Sequence, residues 1–583
     1  MVTLTIDGRT VEVPEGTTIL EAAKTIGITI PTLCAHTELH HTPGACRVCV
    51  VEVEGGKTLV ASCVYPAGSG MKVRTNSSRV RSTRKHVMEF LLSDHPQECT
   101  TCIKEGACEL QTVAQEVGVR EIRVPVTDFS ERDIDRSSPA LVRDPAKCIN
   151  CGRCVTVCTD VQGVHLLTPE GRGFTSKIVP ALREDLADAV CTYCGQCAVV
   201  CPTGAIVERD DVDAVWNALE NPEIHVVVQE APAIRAQLGE EFALPPGSLV
   251  TGKMIAALRR LGFDRVFDTN FTADLTIIEE GHELLHRVKS GGVLPMMTSC
   301  SPGWIKFMEH LYPDLLPHLS TCKSPQQMFG ALAKTYYAQV AGIDPASIFV
   351  VSIMPCTAKK FEASREEMAS SGYRDVDAVL TTRELARMIR QAGLDFSQLE
   401  DAEFDAPMGE YTGAGTIFGA TGGVMEAAIR TVYAVVTGKN LPSLDVNPVR
   451  GLEGVKEASL EVGALGTVRV AVAHGLAQAG MLMDAVRSGK ADYHFIEIMS
   501  CPGGCVGGGG QPLPASNEKR RLRAGALYHD DGAVQKYRQS HENPSVQRLY
   551  ETFLLEPLGE KSHHLLHTSY TPRGDASRTT VTA

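Results

Sequence analysis

Residues 2 to 13 alternate apolar and polar side chains about Asp7-Gly8, the pattern of a hairpin closed by a tight turn. Thr17 or Thr18 stands where a helix cap is expected, with Glu21 near the third helical position, so a helix is predicted through Ala23. Residues 78 to 117 carry an interrupted helical periodicity. From about Ile224 the style changes. Apolar runs such as His225 to Val228, Ile348 to Ile353, Val468 to Ala473 and Tyr493 to Met499 alternate with amphipathic stretches such as Met254 to Leu261, Leu275 to Val288 and Leu476 to Val486. This is the layered pattern of an α/β domain. Residues 515 to 560 are polar and helix-prone, and Thr571 to Ala583 reads as disordered.

Composition narrows the class. A chain of 583 residues implies about three to four domains at the usual ~150 residues each. A net charge of −14 argues against nucleic acid as the main partner, and Lys519-Arg-Arg-Leu-Arg523 reads as a solvated face. No apolar stretch approaches the ~18 residues of a membrane span. The first residues are strand-like, with neither a secretory nor a twin-arginine signal, so a cytoplasmic protein is expected. The 20 cysteines cluster as Cys-x2-Cys, which in a reducing compartment means metal and not disulfides.

Three ligand groups precede residue 210. Cys34, Cys46, Cys49 and Cys63 surround a tight Gly-Ala-Cys-x-x-Cys turn. Four such thiolates suit a [2Fe–2S] cluster, although the spacing is not plant-type and a four-cysteine zinc site would use the same residues. His95, Cys99, Cys102 and Cys108 form a set that zinc would accept as readily as iron. The run Cys148-x2-Cys151-x2-Cys154-x3-Cys158 recurs as Cys191-x2-Cys194-x2-Cys197-x3-Cys201-Pro202. In two-cluster ferredoxins the fourth cysteine of each run ligates the other cluster. One [4Fe–4S] cubane is thus expected on Cys148, Cys151, Cys154 and Cys201, and its partner on Cys158, Cys191, Cys194 and Cys197. His36, His40 and His41 read as surface residues.

Cys300, Cys322, Cys356, Cys501 and Cys505 remain. Glu497-Ile-Met-Ser-Cys-Pro-Gly-Gly-Cys-Val-Gly-Gly-Gly-Gly-Gln-Pro512 sets two cysteines in a glycine-rich turn, where the backbone can approach a bulky inorganic group closely. Thr298-Ser-Cys-Ser-Pro-Gly-Trp304 and Met354-Pro-Cys-Thr-Ala-Lys-Lys-Phe-Glu362 each follow an apolar, strand-like run. Cysteines at the carboxyl ends of strands of one α/β sheet would meet in a single crevice. In order and spacing these three stretches resemble the signature motifs of the iron-only ([FeFe]) hydrogenases, and the resemblance covers roughly residues 1 to 560.

The resemblance implies a multidomain α+β and α/β protein: a β-grasp [2Fe–2S] domain at 1–78, a histidine-ligated [4Fe–4S] domain at 79–138 and a two-[4Fe–4S] ferredoxin domain at 139–210. An α/β H-cluster domain at 211–514, a helical small-subunit-like region at 515–570 and a tail at 571–583 follow. It also implies three accessory [4Fe–4S] clusters, with His95 a ligand of one, and an H-cluster: a cubane bridged to a di-iron unit carrying CO, cyanide and an azadithiolate. The implied activity is heterolytic splitting or formation of H2. By resemblance Cys356 and Cys501 are cubane ligands and Cys505 the bridge to the di-iron unit. Lys359 bonds a cyanide through a charge-assisted hydrogen bond, with Glu362 as its partner. Ala231, Pro232 and Ser324 flank the cyanides, and Met354 and Met499 pack against the di-iron unit. Cys300, Glu280, Ser320, Glu283 and Arg287 match the family's proton path. Glu280 and Glu283, three apart, share one helix face and can hand a proton along it.

At one position the sequence departs from the commoner Thr-Ser-Cys-Cys-Pro motif. Ser301 occupies the place of a cubane ligand, so either Ser301 ligates, or Cys300 shifts into that role, or Cys322 substitutes. An alkoxide is a hard ligand for an iron–sulfur cluster, and Cys322 is therefore expected as the fourth ligand, leaving Cys300 as the proton relay. Gly413-Ala-Gly-Thr-Ile-Phe-Gly419 mimics a dinucleotide fingerprint, but its last glycine comes one residue late and no clear strand precedes it. A separate flavin- and NAD(P)-binding subunit with a [2Fe–2S] electron-transfer subunit is therefore implied, as in NAD(P)-linked, often bifurcating hydrogenases. Maturation enzymes are implied too. The alternatives are a ferredoxin-linked monomeric hydrogenase and a non-catalytic iron–sulfur protein, either an H2 sensor or an assembly factor.

Overall fold

The hairpin signal becomes β1 (Val2–Ile6) and β2 (Arg9–Val13), antiparallel in the register Val2 to Val13. Asp7 and Gly8 both adopt positive φ, the two-residue turn whose twist matches its strands. Thr18 caps α1 (Ile19–Thr25), and the Glu21 carboxylate reaches back to the Thr18 backbone, a capping box. With β3 (Val50–Val53), β4 (Val60–Ala61) and β5 (Lys72–Arg74) the sheet runs β2-β1-β5-β3-β4. The interrupted helical stretch is α2 (Ser78–Ser93) and α3 (Glu109–Glu116), and a hairpin of β6 (Leu167–Glu170) and β7 (Lys177–Pro180) follows.

The computed structural model describes residues 1–36, 38–39, 42–129 and 133–574, so His40, His41 and the tail from 575 lie outside the described residues. The chain divides into two units. The first holds residues 1–160, 165–189 and 196–207; the second holds 161–164, 190–195 and 208–583.

The second unit carries two four-stranded sheets where one was expected. In the first, β8 (His225–Glu230), β9 (Arg265–Asp268), β11 (Ile348–Met354) and β12 (Ala378–Thr381) lie parallel in the order β9-β8-β11-β12. In the second, β10 (Met296–Met297), β13 (Val455–Glu461), β14 (Thr467–His474) and β15 (Phe495–Met499) lie in the order β10-β15-β14-β13, with β13 antiparallel to its neighbour. The apolar run of a strand reports burial, not which sheet it joins. Between β9 and β10 runs α4 (Thr269–Ser290), capped by Asp268 and ended by Gly291 at φ 70°.

Gly413–Ile417 is a buried helical turn whose glycines face Asp531 and Asn270. Two local expectations need correction. Arg520 and Arg523 of the later helix α9 (Asn517–His529) are buried, and Arg523 pairs with Glu240. The tail is held at least through Arg573, whose guanidinium pairs with Glu309.

Candidate active site

Within the first unit the Cys34 thiol hydrogen-bonds those of Cys46 and Cys63, and Cys49 that of Cys63. His95, Cys99, Cys102 and Cys108 line a common cavity of about 340 Å³. Cys148, Cys151, Cys154 and Cys201 line another of about 450 Å³, joining the last cysteine of the second run to the first run. The complementary set is divided: Cys158 and Cys197 belong to the first unit, Cys191 and Cys194 to the second.

The second unit holds a larger, mainly apolar cavity of about 720 Å³. Cys300 and Ser301 reach it from the loop after β10, Cys356 from the loop after β11, and Cys501 and Cys505 from the turn after β15. Ala231, Pro232, Met354, Lys359 and Met499 complete the expected lining. Several anchors fix these loops. The Ser301 hydroxyl lies 2.8 Å from that of Ser500, at the start of α5 (Pro302–Leu311). A Cβ on Gly508 would collide with the Pro355 carbonyl, so only glycine lets the Cys505 turn lie against the Cys356 loop. Arg523 donates to the Val506 and Pro512 carbonyls at 2.9 and 3.2 Å, tying off the same turn. The Glu497 carboxylate accepts the Gly422 and Met425 amides, at 2.6 and 2.7 Å, at the start of α8 (Gly423–Thr437), where the helix dipole favours an anion.

Lys359, on α7 (Ala358–Ala363), places its ammonium 2.9 Å from Glu362 Oε2. That oxygen also accepts from the Ser324 hydroxyl at 2.7 Å and from Gln326 at 3.0 Å, the latter on α6 (Pro325–Leu332). Burial, followed by the nearby Cys356, pushes the Cys505 thiol up to about 12. Burial raises Cys356 as well, against the pull of Lys359. A bound metal ion would draw the protons off such thiols.

Away from the cavity, along α4, Glu280 and Glu283 are buried. The Ser320 hydroxyl donates to Glu283 Oε2 at 3.0 Å and also bonds Glu280. Arg287 closes the outer end at 2.6 Å from Glu283 Oε1. Burial, then the Glu283 charge, raises Glu280 to about 8. Burial and the Glu280 charge keep Cys300 well above the ordinary thiol range. The neighbouring Glu279 is turned elsewhere, accepting bonds from Tyr550, the Leu558 amide, Ser562 and His567.

On the other side, residues 190–195 pack onto the same loops. Lys306 donates to the Cys191 carbonyl at 2.7 Å and lies over the Tyr193 ring; Thr357 donates to the Tyr193 carbonyl at 2.7 Å. The Cys501 sulfur is 4.0 Å from the Cys194 carbonyl.

Comparisons with known proteins give matches along most of the chain. The family described as "Iron only hydrogenase large subunit, C-terminal domain" matches residues 224–509, and "Iron hydrogenase small subunit" matches 517–573. A 2Fe-2S iron-sulfur cluster binding domain matches 1–78, the NADH-ubiquinone oxidoreductase-G iron-sulfur binding region 84–123, and a 4Fe-4S dicluster domain 147–205. The chain is 52% identical to the NADP-reducing hydrogenase subunit HndD of Solidesulfovibrio fructosivorans, over 98% of this chain and 99% of that one. It belongs to the iron-only hydrogenases. The solved apo [FeFe]-hydrogenase HydA1 of Chlamydomonas reinhardtii is 44% identical, covering 63% of this chain and 100% of its own, with a TM-score of 0.57. The cytosolic iron-sulfur assembly component 3 of Rattus norvegicus is 32% identical over 69% of this chain and 86% of that protein.

For an iron-only hydrogenase the donor set fits: three thiols from two sheets, a fourth donor at residue 300 or 301, and an ammonium on one wall. Cys322 is not that donor. It is fully buried, its sulfur is 3.8 Å from Glu283 Oε2, and it does not line the cavity. Its carbonyl accepts the Ser299 hydroxyl, and this registers the segment with the side chain toward α4. Sequence proximity to Ser320 and Ser324 was a poor guide to which way one side chain points. Ser324 lies behind Glu362 and not on the cavity wall. Sequence reasoning missed Thr357 and Lys306, which donate to carbonyls more than a hundred residues away, Arg523, which ties the turn while paired with the distant Glu240, and Gln326, which acts on a buried carboxylate; only the Gln326 spacing from Ser324 was a usable signal.

Proposed function

We propose that this protein is the catalytic subunit of an iron-only hydrogenase that interconverts H2 with protons and electrons. One observation carries the reading: Cys300, Cys356, Cys501, Cys505 and Lys359 line one cavity, and Glu280, which raises the Cys300 thiol, is joined through Ser320 to Glu283 and Arg287. When bound, an H-cluster of a cubane and a di-iron unit with CO, cyanide and azadithiolate supplies the metal chemistry that makes or breaks the H–H bond. Cys356, Cys501 and Cys505 would hold it, with Ser301 or Cys300 at the fourth corner and Lys359 bonding an anionic ligand. Met354 and Met499, with Ala231 and Pro232, exclude water.

In H2 formation the proton arrives at the Glu283 carboxylate beside Arg287. Cys300 first releases its thiol proton toward the cavity, Glu280 reprotonates the thiolate this leaves, and the Ser320 hydroxyl reprotonates Glu280 with the proton it takes from Glu283. Every carrier on the inner half is neutral at rest, because burial holds protons on Glu280 and Cys300. A buried chain of neutral carriers avoids the cost of a standing charge in low dielectric.

Cys34, Cys46, Cys49 and Cys63 would hold a [2Fe–2S] cluster and the later ligand sets three accessory [4Fe–4S] clusters, one of them with His95 as a ligand; when bound, these groups supply single-electron transfer. The domain divisions at 78, 138, 210, 514 and 570 follow these cofactors, supported by the family matches to 1–78, 84–123, 147–205, 224–509 and 517–573. The partner is a flavin- and NAD(P)-binding complex in the cytoplasm; the name of the 52% relative, an NADP-reducing hydrogenase subunit, supports the NADP link and the multisubunit assembly, and ferredoxin is the alternative. No described helix is long and apolar enough to cross a membrane. The 32% relative favours one second reading, a non-catalytic assembly protein.

Infrared spectra of protein matured anaerobically with the hydrogenase maturation enzymes, taken alongside viologen-driven H2 evolution, test the proposal. CO and cyanide bands with H2 evolution are expected. Full accessory clusters without those bands would move the protein to the assembly reading.

A further inference from the structure

Behind the proton chain, three buried side chains from separate parts of the chain come together: Glu283 on α4, Cys322 between α5 and α6 and His567 just after α10 (Glu560–Leu566). One ligand atom of each lies within 4.8 Å of the others. The backbone holds this together, since Cys322 and His567 form a β-bridge and the Lys323 amide donates to the Leu566 carbonyl at 2.8 Å. His567 is oriented by Thr321 at 2.8 Å on Nδ1 and by Glu279 at 3.2 Å on Nε2, and ligation through either nitrogen would displace the partner on that nitrogen. The carboxylates of Glu279, Glu280 and Glu283 all act on the Cys322 thiol, and Arg287 is paired to Glu283.

A thiol, an imidazole and a carboxylate are the donors zinc prefers. Donors about 2.0–2.3 Å from a tetrahedral ion stand roughly 3.3–3.8 Å from one another, and the Cys322 sulfur is 3.8 Å from Glu283 Oε2. The excess of carboxylates favours a dication, and a dication draws the proton off the thiol. We propose that Glu283, Cys322 and His567 form a binding site for a zinc-class divalent cation, and that occupancy halts turnover by taking Glu283 out of the proton chain. A metal-bound Glu283 gives up the Ser320 hydrogen bond and no longer accepts a proton. The second half of the proposal rests on the relay described above; the first does not.

The test adds one equivalent of ZnCl2 anaerobically to the holoenzyme, to Cys322→Ala and to His567→Gln, followed by desalting. Zinc content, the zinc K-edge spectrum and H2 evolution are then measured. The wild type is expected to keep one zinc with one sulfur near 2.3 Å and nitrogen or oxygen near 2.0–2.1 Å. Its H2 evolution should fall about a hundredfold, the lower end of what positioned proton transfer contributes. Both variants should lose that sulfur-ligated zinc and evolve H2 in its presence as in its absence. Equal zinc retention and equal inhibition in all three proteins overturns the site. A sulfur-ligated zinc, lost in both variants, with undiminished turnover in the wild type keeps the site and overturns Glu283 as a relay.

Discussion

On one flank of the cavity Glu280, Ser320, Glu283 and Arg287 form an unbroken series of side-chain donors and acceptors. On another flank the Cys191–Gly195 segment, held by Lys306 and Thr357 on its carbonyls, meets the Cys501 loop at close-packed glycines. A Cβ on Gly195 would collide with Thr357 and lie 3.1 Å from the Gly509 Cα, while one on Gly509 would lie 2.6 Å from the Cys194 carbonyl. The difference follows from what each flank is proposed to carry. A proton moves only between atoms within hydrogen-bond reach, so its route needs polar side chains in sequence. An electron needs closeness and dense packing, so its route needs tight contact and no series of donors and acceptors. Protons make that flank chemically exacting; electrons make the other sterically exacting.

The comparison breaks most sharply at Glu280. Glu280→Gln keeps the shape but cannot relay, and H2 evolution should fall about 10²–10⁴-fold with iron content unchanged. An unchanged rate would mean protons take another route. The pH dependence sharpens the point. Glu280 is raised from the ordinary 4.5 to about 8 by burial and then by Glu283. The unfolded chain releases this proton near 4.5 and the folded chain near 8, so the folded state binds more protons in between. Stability therefore falls as pH rises through that window, and Glu280→Gln should flatten the fall seen in denaturant titrations at pH 5 to 8. The same variant should lose the activity limb near pH 8.

On the electron flank, Gly195→Ala should act through structure. Its φ of 72° costs an alanine roughly 1–2 kcal/mol, and the collision with Thr357 adds to that. Thermal unfolding and re-reduction of the H-cluster by reduced viologen should both suffer, while the solvent isotope effect stays that of the wild type. The smallest effect is expected from Cys322→Ala: a full iron complement and wild-type H2 evolution in zinc-free buffer. Iron loss in that variant would restore Cys322 as a cluster ligand.

The two flanks were unequally legible in the sequence. Ligands in short runs, such as Cys148, Cys151 and Cys154, announce themselves because a few residues of spacing dictate their geometry. The proton series was reachable only because Glu280 and Glu283 share a helix face and the family motif supplied the rest. Cys322 and Arg523 were misread for a common reason. Each looked ordinary locally, and a contact with a distant segment decided its orientation: the Ser299 hydroxyl for one, Glu240 and two glycine-turn carbonyls for the other. Whether the strands formed one sheet or two was likewise a matter of pairing, which burial patterns do not encode.

Adjacent glutamates on α4 lead different lives, and Glu279 has a consequence for how the protein is made. All four of its partners lie between residues 550 and 567, later in the chain than every residue lining the cavity. While the ribosome still holds that segment, Glu279 is an acid with nothing to bind, and the floor under Glu283 and Cys322 stays unlatched. Synthesis thus imposes a schedule: the cavity's walls emerge first, and the latch on its proton side arrives afterwards.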